Sequence, residues 1–229
     1  MIDQHRDNIN AIVINLARRS QLLVEQQQRL LTEMERQERD PGRLAELFRL
    51  DLLAARMRRN DENILVLAGG QARRRVAGGT SLGALVLAAS AEIEQYQRIH
   101  RDITHDPLIA GNAVGDLTHL LAELFENATA FSAPGSPVRV VSRVDDEGQL
   151  LLEITDAGFG LSPAALADAN AVLAEPPELG GTTSERMGLV VVSHLSARHQ
   201  VRVRLRSSPS GTCACVALPG DLLTHEGAK

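Results

Sequence analysis

The chain has 229 residues, of which 44% are apolar, so it can bury the core of one large domain or two modest ones. A net charge of −5 and a single lysine, Lys229, exclude a general nucleic-acid-binding protein. No apolar run is long enough to cross a bilayer, and the N-terminus lacks the apolar segment of a signal peptide. We therefore expect a cytoplasmic protein with no nucleic-acid partner.

The N-terminal part of the sequence predicts two long helices. Helical spacing starts at Ile9 and is interrupted by Asp40-Pro41-Gly42, and a second helical pattern starts near Arg43. The residues that carry the two patterns are Ile9, Val13, Leu16, Ser20, Leu23, Gln27, Leu30 and Met34, then Leu44, Leu47, Leu50, Leu53, Met57, Ile64 and Leu67. A helical hairpin would bury its remaining apolar stripe most simply against a second copy, as a four-helix bundle, so we expect a homodimer.

A loop, a third helix and a domain boundary are predicted next. Gly69-Gly70 ends the second helix, residues 71–80 are polar, and helical spacing returns at Leu82, Leu85, Val86, Ala89, Ile93 and Tyr96. The composition changes near residue 100, and a short strand is expected at residues 108–110. We therefore assign residues 1–100 to a helical dimerisation domain and residues 101–229 to a mixed α/β domain.

The helix that opens the second domain carries the first candidate site residues. Glu123 and Asn127 are four positions apart, so they share one edge of a helix whose other face is apolar. An amide and an acid facing one pocket suit a hydrated Mg²⁺ ion with nucleotide phosphates, since this ion takes few oxygen ligands from protein and leaves the acid free to orient a hydroxyl. Taken alone, the same spacing also fits two solvated polar residues on a surface helix.

A second candidate element follows a predicted β-hairpin at residues 138–144 and 149–156. Asp156 stands at the strand end, before Gly158 and Gly160, in the sequence Asp-Ala-Gly-Phe-Gly. The glycines allow a sharp turn close to a flat ligand, and the carboxylate can accept a hydrogen bond from an exocyclic amine such as that of adenine. An ordinary strand-to-helix turn, capped by Ser162 before Pro163, is the alternative.

The last third of the sequence predicts a helix, a loop and two strands. Residues 162–174 have helical character, and residues 175–186 form either a lid over a ligand or a plain surface loop. Gly188 then precedes the apolar run 189–195, which is either a helix whose N-terminal amides could hold phosphate or a buried strand. Strands are expected at residues 201–206 and 212–218, with the alternating arginines of the first strand in solvent.

The two cysteines lie in the last of these strands. Cys213 and Cys215 are two positions apart, so they face the same side of the strand. A pair this small and this local is insufficient for a disulfide framework or a zinc site, so we interpret both as buried free thiols.

The order of these elements resembles the Bergerat ATP-binding fold shared by gyrase, Hsp90, sensor histidine kinases and MutL. With the helical hairpin upstream, the chain resembles the cytoplasmic core of a bacterial sensor histidine kinase, in the actinobacterial branch that often carries nitrate/sulfonate-type sensor domains. The sequences that carry this resemblance are Asn15-Leu16-Ala17-Arg18-Arg19-Ser20, Leu47-Phe48-Arg49-Leu50-Asp51, Arg56-Met57-Arg58-Arg59-Asn60 and Arg186-Met187-Gly188-Leu189. The implied fold class is α+β, with a dimerising hairpin before an α/β sandwich.

The resemblance also implies roles and partners. Asn127 would ligand Mg²⁺, Glu123 would polarise the attacking group, and Asp156 would bind the adenine of ATP. Residues that would shape or touch the nucleotide are Gly158, Gly160, Gly188 and Thr212. A response regulator or another signalling protein is the implied partner, and a membrane would be reached only through a sensor region outside this chain.

Three features of the sequence depart from the kinase pattern. Ala130 replaces a basic residue common three positions after the asparagine, and the phosphate-binding part has fewer glycines than usual beside Gly188. Leu52 stands where the branch usually has the histidine that accepts the phosphoryl group, and an alkyl side chain cannot accept it. Three readings remain: a phosphotransfer enzyme whose acceptor was replaced, a nucleotide-sensing scaffold without transfer activity, and an ATP-hydrolysing conformational machine.

Overall fold

The computed structural model describes residues 2–69, 78–145, 148–177 and 187–224. The predicted first loop, the tip of the hairpin turn and the lid-like loop fall mostly on residues 70–77, 146–147 and 178–186, outside the described residues. The chain forms two compact units, residues 1–72 and residues 73–229. Among the described helices, none has the length and apolarity needed to cross a membrane.

The first unit is the predicted helical hairpin. Helix α1 spans Ile2–Gln37 and helix α2 spans Pro41–Leu67. The break between them has a local cause, because the Asp40 side chain accepts a hydrogen bond from the Arg43 amide at 2.9 Å and Pro41 occupies the first turn of α2. An N-cap aspartate followed by proline is a strong helix start, so the tight turn follows from the sequence.

The hairpin packs largely through residues outside the predicted patterns, since only Leu47 belongs to both sets. Val24 and Leu31 of α1 are buried in one cluster with Leu47 and Ala54 of α2. Leu16, Leu23, Leu30 and Met34, which belong to the predicted stripe of α1, are 56–67% exposed, as are Leu50, Leu53 and Met57 of α2 at 44–53%. Contacts within one hairpin therefore leave an apolar stripe of seven side chains uncovered.

Within its described residues, the second unit contains four α-helices and eight strands. The helices are α3 (Leu82–Ala91), α4 (Val114–Ala130), α5 (Pro163–Ala174) and α6 (Met187–Arg198). The strands are β1 (Thr80–Ser81), β2 (Ile99–Asp102), β3 (Leu108–Ile109), β4 (Val138–Val144), β5 (Leu150–Thr155), β6 (Arg202–Ser208), β7 (Gly211–Leu218) and β8 (Leu223–Thr224). The main sheet has the order β2-β4-β5-β7-β6, with only β2 and β4 parallel, and a small second sheet has the order β1-β3-β8.

One face of the main sheet carries the core. Alternate residues of its strands are buried, among them Val140, Leu152, Ile154 and Val216. Helices α4 and α6 pack against each other and against this sheet, and the apolar run at residues 189–195 is helical. The valines of that run are buried because α6 packs against α4, α5 and the sheet. The α+β class and the sandwich architecture predicted from the sequence are confirmed.

The division between the compact units differs from the predicted domain boundary near residue 100. Helix α3 packs on α4, and Leu82 and Leu85 face Leu117 and Leu121 around a small apolar gap. Helix α3 is shorter than the helical spacing indicated, because Tyr96 lies in a separate 3₁₀ turn. The apolar face of α3 thus lies within the second unit, so the structural division precedes this helix.

The other face of the sheet, which we call the outer face, is polar. Arg204 and Arg206 of β6 lie beside Cys215 and Cys213 of β7 on this face, and both arginines are exposed. The cysteines are free, as interpreted from the sequence, but they are partly rather than fully buried. A hydrogen bond between the two thiols lowers the pKa of Cys213 and raises the pKa of Cys215.

A buried carboxylate joins α4 to α6. Asp116, in the first turn of α4, accepts hydrogen bonds from Arg198 Nη1 at 3.0 Å and from His199 Nε2 at 2.7 Å, at the end of α6. Burial raises the pKa of Asp116, but the hydrogen bonds from His199 and Arg198 outweigh burial and leave this pKa below its usual value. The contact fixes the antiparallel arrangement of two helices that both contribute to the site described below.

We expect Asp116→Asn to destabilise the second unit at neutral pH by about 1.5–3 kcal/mol, because it removes a charged acceptor from two donors. Because folding lowers the pKa of Asp116, its charge stabilises the folded state fully at pH values above the unfolded-state pKa of about 3.9. This stabilisation is lost as the pH falls through the folded-state pKa. Denaturant titrations at neutral and acidic pH should show the difference shrinking in acid. Asp221→Asn, at an exposed position, is the control. A difference independent of pH would contradict the role given to the Asp116 charge.

Candidate functional site

Helix α4 presents two polar side chains at its second half. Glu123 is buried and Asn127 is partly buried, on a helix whose remaining inward face is apolar. The amide nitrogen of Asn127 is buried and has no hydrogen-bond partner among the described residues. An unsatisfied buried amide is costly, so its presence indicates a place for a polar ligand.

The start of α6 approaches these side chains closely. A Cβ atom on Gly188 would lie 2.6 Å from Glu123 Oε2 and 3.7 Å from Asn127 Nδ2. Any larger residue would displace the carboxylate, so glycine at this position lets the first turn of α6 contact α4. The arrangement brings the amides of a helix N-terminus, which attract anions, next to an acid and an amide.

Asp156 lies at the end of β5 and is almost fully buried. Its Oδ1 atom accepts hydrogen bonds from the Gly158 amide at 2.7 Å and from the Thr212 amide at 3.1 Å. The Asp156 amide in turn donates to the Thr212 carbonyl at 3.0 Å. Both hydrogen bonds to the carboxylate use Oδ1, so among the described residues Oδ2 accepts none and remains available to a donor on a ligand.

The glycines after Asp156 are required by close backbone contacts. A Cβ on Gly158 would lie 2.4 Å from the Phe131 carbonyl oxygen, just beyond the end of α4. Gly160 has a φ of +71°, and its Cβ would lie 2.2 Å from the Ser208 carbonyl oxygen. The segment is thus held between the end of α4 and the end of β6, where a side chain would not fit.

These elements surround a cavity of about 430 Å³. Its polar lining comes from Asn127, Asp156 and Thr212, and its apolar lining from α4, α5, α6 and the sheet. The apolar residues are Leu124, Ala128, Phe131, Ile154, Phe159, Leu161, Ala165, Ala169, Val172, Leu189, Leu205 and Ala214. A mostly apolar cavity of this size with a few polar groups is typical of a small-molecule site.

The structure therefore brings together seven of the eight residues singled out from the sequence. All seven lie in the second unit: Asn127, Asp156, Gly160 and Thr212 line the cavity, Gly158 and Gly188 lie against residues that line it, and Glu123 lies beside Gly188. The remaining residue, Leu52, belongs to α2 of the first unit and is partly buried.

Sequence reasoning missed two residues that organise this region. His119 is buried one turn before Glu123, with its Nε2 atom 3.7 Å from Glu123 Oε1, and the four-residue spacing was a usable signal. Arg98 donates to the carbonyls of Thr129 at 2.9 Å and Ser136 at 2.7 Å, so a cation holds the C-terminal end of α4. No pattern in the sequence indicates the contacts of Arg98, because Thr129 and Ser136 lie more than thirty residues away along the chain.

Comparison with known proteins agrees with this geometry. Residues 112–222 match the family described as histidine kinase-, DNA gyrase B- and HSP90-like ATPases. The sensor-like histidine kinase SenX3 of Mycobacterium tuberculosis is 32% identical over 115 residues, which are 46% of this chain and 27% of that protein. The histidine-protein kinase/phosphatase MprB of Mycobacterium ulcerans is 27% identical over 137 residues, 56% of this chain and 27% of its own.

Solved structures share the fold. Full-length ShkA in complex with AMPPNP superimposes with a TM-score of 0.61 at 18% identity, over 95% of this chain and 47% of that one. The histidine kinase AdeS of Acinetobacter baumannii superimposes with a TM-score of 0.50 at 16% identity, over 87% of this chain and 95% of that one. These two likenesses concern the fold alone.

Residues 112–222, within the second unit, therefore have the sequence of an ATPase domain of the histidine kinase-, DNA gyrase B- and HSP90-like type. Together with the similarity to mycobacterial kinases, this match supports a sensor histidine kinase ATPase core. The chain aligns with about a quarter of the length of these curated relatives, at 27%.

Proposed function

We propose that this chain binds ATP with Mg²⁺ as the cytoplasmic core of a sensor histidine kinase for phosphotransfer in two-component signalling, with Leu52 in place of the acceptor histidine. The observation that carries this proposal is the convergence of Asp156, Thr212 and Asn127 on one cavity, with Gly188 packed beside Asn127. Asp156 suits the adenine, Asn127 suits Mg²⁺, and the first turn of α6 suits the phosphates. These groups follow one another in an order that is compatible with one bound nucleotide.

The adenine ring belongs in the apolar part of the cavity. Asp156 Oδ2 would accept a hydrogen bond from the exocyclic amine, while Oδ1 is kept in place by the Gly158 and Thr212 amides. Because the carboxylate is fixed by backbone donors before a ligand enters, little reorganisation is needed on binding.

The phosphates belong near the start of α6. Asn127 fits a hydrated Mg²⁺ because its side-chain amide is not satisfied by protein and can turn its oxygen toward an ion. The ion would neutralise part of the phosphate charge. The first turn of α6, brought close by Gly188, supplies amides of the kind that bind phosphate oxygens.

Glu123 is placed to act on the attacking group. Its carboxylate is buried between His119 and Gly188, beside the proposed phosphate region. A carboxylate in that position can orient a nucleophile or take its proton. His119, four residues earlier, is placed to hold the carboxylate, so we assign it a positioning role.

Asp156→Asn should weaken ATP binding by about 1.5–3 kcal/mol, since a neutral amide replaces a charge-assisted acceptor. That loss corresponds to roughly 10- to 150-fold in Kd, which calorimetry with ATP and Mg²⁺ can measure. Asparagine can still accept the two backbone hydrogen bonds, so the fold should persist. Asp102→Asn, at an exposed position, should bind ATP normally. Equal affinities for Asp156→Asn and the unaltered chain would refute the assignment of Asp156.

Leu52 separates the proposed enzyme from a signalling scaffold. The position that matches the acceptor has no nucleophilic atom, whereas Asn127, Asp156 and Thr212 of the proposed nucleotide site line one cavity. Asp51 directly precedes it, so a histidine at position 52 would have a neighbouring carboxylate able to orient the imidazole or take its proton. The scaffold reading is favoured by Leu52 alone and is kept as the second candidate function.

The chain with Leu52 should form no phosphohistidine when incubated with γ-labelled ATP and Mg²⁺, and Leu52→His should become labelled in an acid-labile, base-stable form. Ala45→His, on the same helix and one heptad earlier, is the control for a histidine added elsewhere and should stay unlabelled. Label on the unaltered chain would overturn the reading of Leu52. An unlabelled Leu52→His variant that still binds ATP would favour the scaffold.

A homodimer through the hairpin is part of the proposed function. The seven exposed side chains of the stripe on α1 and α2 form an apolar surface that a second hairpin would cover as a four-helix bundle. Full burial of one leucine is worth about 1.5–3 kcal/mol, so several of them per protomer supply a stable interface. A response regulator or another signalling protein is the proposed further partner.

Light scattering at tens of micromolar should therefore give the mass of a dimer. Leu53→Glu should shift the chain to the monomer, because a charge would be buried at the centre of the stripe. Ala45→Glu introduces the same side chain at an exposed position outside the stripe, and it should remain dimeric. A monomeric unaltered chain, or a dimeric Leu53→Glu variant, would contradict the bundle.

A further inference from the structure

The outer face of the sheet holds a cluster of three groups that the nucleotide site does not use. Glu153 of β5 is directly opposite Cys215 of β7, and Cys213 precedes Cys215 on the same face. The two sulfur atoms are 3.8 Å apart, and one oxygen of Glu153 lies within 4.8 Å of both. The sequence showed only the cysteine pair, because Glu153 reaches it through strand pairing.

A disulfide is a poor explanation for this pair. Residues two apart in an extended strand have Cβ atoms separated by about two residue rises, about 6.6–6.8 Å. A disulfide requires Cβ atoms about 3.5–4.5 Å apart, so closing one would need a bend in the middle of β7. Strand β7 is paired on both sides, with β5 and with β6, and this pairing opposes such a bend.

A metal ion needs no such change. Two thiolates bound at about 2.3 Å to one tetrahedral ion have sulfur atoms about 3.8 Å apart. This distance is the one found between Cys213 and Cys215. The sulfurs are thus already at the separation that a shared ion imposes, and a third ligand is near.

Glu153 is held in place for that role. Arg143 Nε contacts its Oε2 atom at 2.9 Å and so restricts the carboxylate, which leaves Oε1 for a further partner. Supporting contacts of this kind orient ligands in metal sites. Arg204 and Arg206, beside the cysteines in β6, would offset the negative charge left by two thiolates and a carboxylate around a divalent ion.

We propose that Cys213, Cys215 and Glu153 form a binding site for a thiophilic divalent cation of the zinc class on the outer face of the sheet. Two sulfur ligands select such an ion over Mg²⁺, which prefers oxygen. The partly exposed side of the cluster leaves the fourth position to water.

The cation site is separate from the nucleotide cavity. Residues alternate between the two faces of a strand, and Ile154, Thr212 and Ala214, which alternate with the three ligands, line the cavity. Changes to the ligands should therefore leave ATP binding intact, which provides a measure of correct folding independent of the metal.

The test uses the full chain, reduced and freed of metal by a chelator that is then removed. Titration with Co²⁺ should produce thiolate-to-cobalt charge-transfer absorption that saturates at one ion per chain, and Zn²⁺ should abolish it by displacement. Removing a group that only supports a metal ligand typically lowers metal affinity by about 10- to 100-fold. Loss of a thiolate ligand should cost more, so Cys213→Ser or Cys215→Ser should lower Co²⁺ affinity by at least about 100-fold, and Glu153→Gln should lower it by about 10-fold. Ala217→Ser, the next position on the same face of β7, should bind like the unaltered chain.

Each outcome decides the proposal. No charge-transfer band in the unaltered chain, or the same Co²⁺ affinity after Cys213→Ser, would overturn it. Zinc retained by the doubly substituted Cys213→Ser, Cys215→Ser chain would place the ion elsewhere and overturn it as well. Loss of the band in the cysteine variants, with ATP binding and Ala217→Ser unaffected, would support it.

Discussion

The buried carboxylate of Asp156 is the constraint on which the proposed nucleotide site depends. It must be satisfied where water is largely excluded, and it takes two backbone N–H donors, from Gly158 and Thr212, onto one oxygen. Through these two hydrogen bonds, one carboxylate oxygen fixes both the glycine turn and the start of β7 relative to β5. Among the described residues the second oxygen accepts no hydrogen bond, so it remains available to a ligand, as a binding group requires.

Helices α4 and α6 pack beside this edge of the sheet. Helix α4 ends against Gly158, and α6 lies antiparallel to α4, tied by Asp116 at one end and in contact through Gly188 at the other. The glycines are needed because backbone or a carboxylate already occupies the space of a Cβ. Substituting them would therefore move elements of the fold as well as lining atoms of the cavity.

The sheet separates two kinds of chemistry. Its inner face, with Ile154 and Ala214, contributes to an apolar cavity with a few oxygen and nitrogen groups. Its outer face, one residue away along the same strands, holds two thiols and a carboxylate among arginines. Because alternate side chains of a strand face opposite sides, β5 and β7 can serve two ligands of different chemistry without sharing a side chain.

The sequence by itself determined the local elements: the N-cap at Asp40, the helical spacing of Glu123 and Asn127, and the strand that ends at Asp156 depend on neighbours within a few residues. These signals were sufficient for the α+β class and for two of the polar residues on the cavity, Asn127 and Asp156. Only the tertiary structure decided the domain division ahead of α3, the face on which the hairpin packs, the Arg98 contacts and the approach of Glu153 to the cysteines. Each of these depends on which distant segments pack or pair, and local periodicity carries no information about that choice.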